Sequence, residues 1–193
     1  PGLIMMSVIT NAYGNVSSSF FSNKFQRSVE ELLVAPVPNS VILAGFVFGG
    51  VARGLLTGII VTVVAVFFTD IQVHNFWILS SIVLLSSILF SLGGFINALY
   101  ANKFDDVSIV PTFILTPLSY LGGVFFSTDL LPEGWRLVSE FNPILYMVNG
   151  FRYGILGVSD VEIGYAYIIM GVFGVVLAST CLWLLHRGIG LRS

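Results

Sequence analysis

Few side chains in this sequence could do chemistry, and they are widely scattered. His74 falls in a loop and His186 at the end of an apolar run, and neither has a carboxylate or second histidine at metal-ligand spacing. Cys181 is the sole cysteine and lies inside an apolar run, which excludes an intramolecular disulfide and a cysteine-based metal site. A Gly-x-Ser-x-Gly nucleophile elbow is absent. So is the Gly-x-x-x-x-Gly-Lys-Ser/Thr phosphate loop, so any energy from ATP has to come from a partner. The remaining candidate is mechanical. The segment Asn23 to Pro36 is polar and short between two apolar stretches. As a helix it places Phe25, Val29, Leu32 and Leu33 on one face, and Lys24, Arg27, Ser28 and Glu31 on the other. Arg27 and Glu31, four residues apart, support such a helix and rim its contact face, and Pro36 and Pro38 end it. Two readings are open: a docking surface for a soluble partner, or a helix lying at the lipid headgroups.

The elements that carry this segment belong to a membrane. Of the 193 residues, 56% are hydrophobic and 9% charged. A soluble domain carries roughly 25% charged residues. The mean hydropathy is +0.95. With a net charge of −2 and no basic patch, a nucleic-acid partner is excluded. The sequence predicts one transmembrane domain over 1–193. Residues 1–22 form the end of a span, and 39–69, 75–101, 107–127 and 163–186 are each long enough to cross a bilayer. The segment 39–69 is about 46 Å long as a helix, so it tilts or protrudes.

Basic residues orient these spans. Lys24, Arg27, Lys103, Arg187 and Arg192 fall on one side and Arg136 and Arg152 on the other, with Arg53 inside a span. Residues 23–36 and the C-terminus are therefore expected in the cytoplasm and 128–162 outside. The outer loop reads as two helices. One begins at Leu131-Pro132; the second begins with Asn142 as N-cap and Pro143 in its first turn, and runs through Tyr146 and Arg152 toward Gly157. At about 14 residues, or about 21 Å, the second is too short to span. A re-entrant hairpin and a surface helix are both open.

Gly50, Gly54 and Gly58 recur every four residues, the spacing of a helix-packing or dimerisation stripe. Gly150 and Gly154 repeat it in the outer helix. Arg53 beside the first stripe either contacts an anionic substrate group, pairs structurally, or snorkels. Phe113, Tyr120, Phe125 and Phe126 lead toward the outer face. They read as the wall of a hydrophobic pathway or as lipid-facing packing. No intramembrane Asp or Glu stands out, and no inverted repeat is evident, which weighs against an ion-coupled transporter.

Several of these segments together are similar to a known family. The helix Phe25 to Val34 followed by Ala-Pro-Val-Pro and a glycine-rich span resembles the coupling-helix region of ABC-2 type transporter permeases. Pro111-Thr112-Phe113 and the run Pro117 to Phe126 resemble that family's fifth span. Leu131-Pro132, Phe141 to Tyr146 and Arg152 resemble its re-entrant segment before the last span. The resemblance covers essentially the whole chain. It implies an all-α polytopic membrane protein with about five transmembrane helices here, against six in the family, the N-terminal amphipathic helix and first span being expected to lie outside this sequence. It also implies a cytoplasmic coupling helix, an outward-facing re-entrant segment, and location in a bacterial inner membrane. As partners it implies membrane lipid, a second permease and an ATP-binding cassette ATPase that binds ATP and magnesium, with no cofactor in this chain. Phe25, Arg27, Val29, Glu31, Leu32 and Leu33 would dock the ATPase. The implied function is export of a drug, lipid or lipid-linked glycan; a secondary transporter, a channel or a scaffold subunit is the rival reading.

Overall fold

The computed structural model describes residues 1–26, 28, 37–69, 73–125 and 132–190. Among these the regular structure is all helical, with no strand. In order they form α1 (Gly2–Phe25), α2 (Asn39–Val66), α3 (Phe76–Tyr100), α4 (Phe104–Val110), a π-helical turn (Pro111–Leu115), α5 (Thr116–Leu121), α6 (Glu133–Glu140), α7 (Pro143–Leu156) and α8 (Ile163–Arg187).

Helix α1 packs along its length between α2 and α3. Its residues Met5, Val8, Ala12, Val16 and Phe20 are wholly buried. Helix α2 runs antiparallel to α1 and α3 runs parallel to it, as the contacts of the glycines show. A Cβ on Gly54 would sit 3.1 Å from Ala12 Cβ and 3.1 Å from Ser87 Oγ, and one on Gly58 would sit 2.8 Å from Val8 Cγ2. At Gly50 a side chain would collide with Ser91 and Val16, and at Gly94 with the Tyr13 carbonyl. Small residues thus bring three backbones together where hydrocarbon offers no hydrophobic drive for association. Toward the Gly2 end the core is filled by residues such as Met5, Ile82, Ile144 and Met170. At the Lys24 end Phe20 packs on Phe95 and Phe46, with ring centroids 4.4 and 5.1 Å away.

Three of the expected spans are present as uninterrupted helices long and apolar enough to cross a bilayer: α2, α3 and α8. The other two differ from the sequence expectation. Residues 1–22 belong to a longer helix that ends at Phe25, so Asn23, Lys24 and Phe25 continue α1 rather than opening a new helix. Asn11, Asn15 and Ser17 to Ser19 dilute the apolarity of α1, which burial between α2 and α3 makes tolerable. Residues 107–127 are not one helix. The chain is helical from Phe104, passes through the π turn, and leaves the helix at Gly122 and Gly123, where φ is +73°. Two prolines cause the irregularity, because neither Pro111 nor Pro117 has an N–H for the helical ladder. Thr116 instead donates both its N–H and its Oγ1 to the Pro111 carbonyl.

The glycine contacts make a paired prediction. Gly50→Leu should destabilise the protein by about 1–3 kcal/mol through overpacking. Gly45→Leu has nothing within 4 Å of the added Cβ, so it should stay within about 0.5 kcal/mol of the parent. Thermal unfolding in detergent reads the difference, and equal melting temperatures would show that the stripe does not set the α1–α2 approach.

Candidate functional site

The irregular segments and their polar contacts lie at the two ends of the bundle. In the Gly2 half of the bundle, Asn142 caps α7 by accepting from Ile144 N at 3.0 Å, while its Nδ2 donates to the Leu118 carbonyl of α5 at 2.6 Å. Helix α7 therefore starts against α5, inside the bundle. Its first residue, Pro143, lines an apolar cavity of about 220 Å³ with Tyr13, Phe90, Met147 and Phe173. Tyr13, Phe90 and Phe173 come from the middles of α1, α3 and α8, so α7 begins at mid-depth. From there it runs back toward the Gly2 end, where a Cβ on Gly150 would meet Ile82 and one on Gly154 would lie 2.9 Å from Leu79 Cα. Most of α7 is buried, including Tyr146, whose hydroxyl donates to the Glu140 carbonyl at 2.8 Å. Its last carbonyls, Gly154 and Ile155, accept from Asn75 N and His74 N at 2.9 and 3.2 Å. Asn75 in turn caps α3.

Arg152 fastens this end. Its Nη1 donates to Asp160 Oδ2 at 3.0 Å and its Nη2 to the Gly123 carbonyl at 2.8 Å. Asp160 N donates to Asn149 Oδ1 at 3.0 Å. One guanidinium thus joins α7, the turn after α5 and the loop before α8. Its planar fork of donors suits two acceptors on different segments. Glu140, Asp160, Arg136, Leu145, Val161 and Ile169 are among the residues that line a mixed cavity of about 250 Å³ beside it.

At the other end Lys24 Nζ donates to the Leu99 and Ala101 carbonyls at 2.8 and 2.9 Å. Asp106 accepts from Asn102 N and Lys103 N at 2.9 and 3.0 Å, which holds its carboxyl below the usual carboxylate range. Phe25 packs on Phe104 and Phe21 yet stays 67% exposed. Of the other expected docking residues, Arg27, Val29, Glu31, Leu32 and Leu33 lie outside the described residues.

The remaining sequence candidates are not gathered into one site. Gly50, Gly54 and Gly58 are buried against α1 and α3, so the packing they serve here lies within one chain. Arg53 is exposed on α2 and donates to Asn15 Oδ1 of α1 at 3.3 Å. Phe113, Tyr120 and Phe125 point outward; the rings of Tyr120 and Phe125 stack at 4.8 Å. They form an aromatic outer face rather than the lining of a channel through one chain. Phe126 and Leu131 lie outside the described residues. Sequence reasoning missed Lys24, Asn97, Asn149 and Asp160. Asp160 had a signal, since it follows Arg152 by eight residues across a glycine helix stop. The carbonyl partners had none.

The long apolar helices mark a membrane protein, and its similarity to known proteins makes it a transport permease, a transporter component rather than an enzyme. The chain belongs to the ABC-2 type transporter family, whose model it matches over residues 1–156. It is 57% identical over all 193 residues to the inner membrane transport permease YadH of Escherichia coli (strain K12), covering 75% of that protein. It is 22% identical over 157 residues to nodulation protein J of Rhizobium leguminosarum bv. viciae, across 81% of this chain and 61% of that protein. Permeases of this family work with an ATP-binding cassette subunit.

Both members of the Arg152–Asp160 pair are mostly buried, at 16% and 12% exposure. Arg152→Met and Asp160→Asn should each cost about 3 kcal/mol, the low end for breaking such a pair. Amide exchange at 157–161 should accelerate in both variants, and the double variant should lose less than the summed single effects. Additive losses would show that the two side chains do not act together.

Proposed function

We propose that this chain is the membrane half of an ATP-driven exporter in a bacterial inner membrane. Two copies pair with two ATP-binding cassette ATPases, and the C-terminus and residues 23–36 face the cytoplasm. The Lys24 end then carries the coupling segment. Phe25, Val29, Leu32 and Leu33 seat in a cleft of the ATPase, and Arg27 and Glu31 rim it. The observation that carries this reading is Phe25, a large apolar side chain held exposed at the end of α1, immediately before the amphipathic stretch. With Phe104, on which it packs and which is also exposed, it forms an aromatic patch that supports a contact with another protein.

The substrate is hydrophobic or amphiphilic: a drug, a lipid or a lipid-linked glycan. Phe113, Tyr120 and Phe125 on the outside of the broken segment support a route between two copies rather than through one. Asn142, Pro143, Tyr146 and Arg152 form the outward-facing re-entrant segment that closes its outer end.

Co-purification from native membranes in mild detergent tests the docking reading. A P-loop ATPase should accompany the natural permease in fixed stoichiometry. Phe25→Ala and Leu32→Asp should each reduce its recovery about tenfold, equivalent to about 1.4 kcal/mol, at unchanged permease levels. A permease that stays free of any ATPase, under conditions that preserve other such complexes, would leave a secondary transporter or a scaffold subunit as the function.

A further inference from the structure

At the Lys24 end one side chain joins elements distant in sequence. The ammonium group of Lys24 bridges the carbonyls of Leu99 and Ala101, 75 and 77 residues further along the chain. The last carbonyls of a helix have no helical donors, and the C-terminal end of a helix attracts a cation. The ammonium carries three rotatable donors, enough to serve both acceptors at once. The site lies within a knot of helix ends. Phe25 and Phe21 of α1 pack on Phe104, the first residue of α4, with ring centroids 5.4 and 4.8 Å away. Asp106 closes the 101–104 turn by accepting two of its N–H groups. Gly190, with φ of +74°, leaves room for no side chain against the Leu99 carbonyl, so the end of α8 abuts the same point.

Position gives the contact a function beyond capping. Lys24 is three residues before the segment 27–36, and its acceptors lie three to five residues before Phe104, where the broken α4–π–α5 segment begins. A pull on 27–36 therefore reaches the start of that segment through two charge-assisted hydrogen bonds. We propose that Lys24 is a positioning residue for energy coupling, transmitting displacement of the docking segment to the α3–α4 turn and so to the broken segment behind it. This rests on the docking reading of residues 23–36.

The test uses the full natural permease with its co-purifying ATPase, the buried Cys181 replaced by Ala, and a spin label on a cysteine at Ser108, which is exposed on α4. The label's spectrum is compared between the nucleotide-free and vanadate-trapped complexes. The parent should show a nucleotide-dependent change. Lys24→Met, which keeps the aliphatic stem, should lose that change while retaining the ATPase at parental stoichiometry, and Lys24→Arg should restore most of it. A full change in Lys24→Met, or no recovery in Lys24→Arg, overturns the proposal and leaves Lys24 as a helix cap only. Amide exchange on the unsubstituted complex gives a second reading that needs no Lys24 variant. Protection at 24–36 and at 100–107 should change together on trapping, and a change confined to 24–36 overturns the proposal. Absence of any ATPase from the parental preparation is scored before the spectra are taken; it sinks the docking reading itself and this inference with it.

Discussion

A backbone N–H or C=O facing hydrocarbon has no water to bond, so every interruption of a membrane helix must be closed by protein. The chain interrupts its helices repeatedly, and several of its polar side chains serve those interruptions. Pro111 cannot donate to the Val107 carbonyl, and Asn97 Nδ2 of α3 donates there instead, at 3.1 Å. Thr116 serves the Pro111 carbonyl. Arg152 serves Gly123, where α5 has already ended, and Asn142 serves Leu118. The end of α7 meets the N–H groups that open α3, and Lys24 meets the carbonyls at the end of α3. A residue such as Asn97, which sequence alone shows as a polar blemish in an apolar run, is the condition for a proline fourteen positions later.

That requirement divides the chain into two kinds of structure. Helices α1, α2 and α3 are held by backbone proximity at Gly50, Gly54, Gly58 and Gly94, where adding even a methyl group forces a collision or a tight contact. Close-packed interfaces of this kind deform little, because shifting one helix opens voids along its whole length. The segment from Phe104 to Leu121 is held differently, through prolines, a π turn and individual hydrogen bonds to Asn97 and Asn142. Individual hydrogen bonds can exchange partners one at a time, whereas a glycine interface must separate as a unit. A transporter that moves helices relative to one another finds its compliant element in the second group.

Legibility followed the range of the forces. The spans α2, α3 and α8 were visible because apolar length is a local property, and Asn142-Pro143 announced α7 because a cap and a first-turn proline are local too. The glycine stripe announced close packing but not its partner, since a spacing of four residues fits another helix of the same chain as well as a second copy. The depth of α7 was not legible, because the same amphipathic pattern suits a surface helix. Only contacts with Ile82, Phe90 and Leu118 place it inside. Lys24 was misjudged most. Counted as one of the polar residues opposite Phe25, it reads as a solvated charge, whereas its two acceptors are supplied by a turn 75 residues away.

Two fastenings whose partners escaped sequence reasoning occupy opposite ends of the same broken segment. Lys24 holds the turn from which α4 departs, and Arg152 holds Gly123, where α5 stops. Between them lie both prolines and the π turn. Charged groups suit both posts: a bond to an ionised donor contributes roughly twice a neutral one, and the surrounding apolar protein makes its loss costly. An arrangement fixed strongly at both ends and weakly in the middle bends in the middle. Motion of the Lys24 end would therefore be taken up at Pro111–Leu115 before it reached the Arg152 network, so α7 would respond only once the π turn had been displaced. This order follows from where the strong and weak contacts lie, and it places the exposed Phe113 at the point of greatest movement.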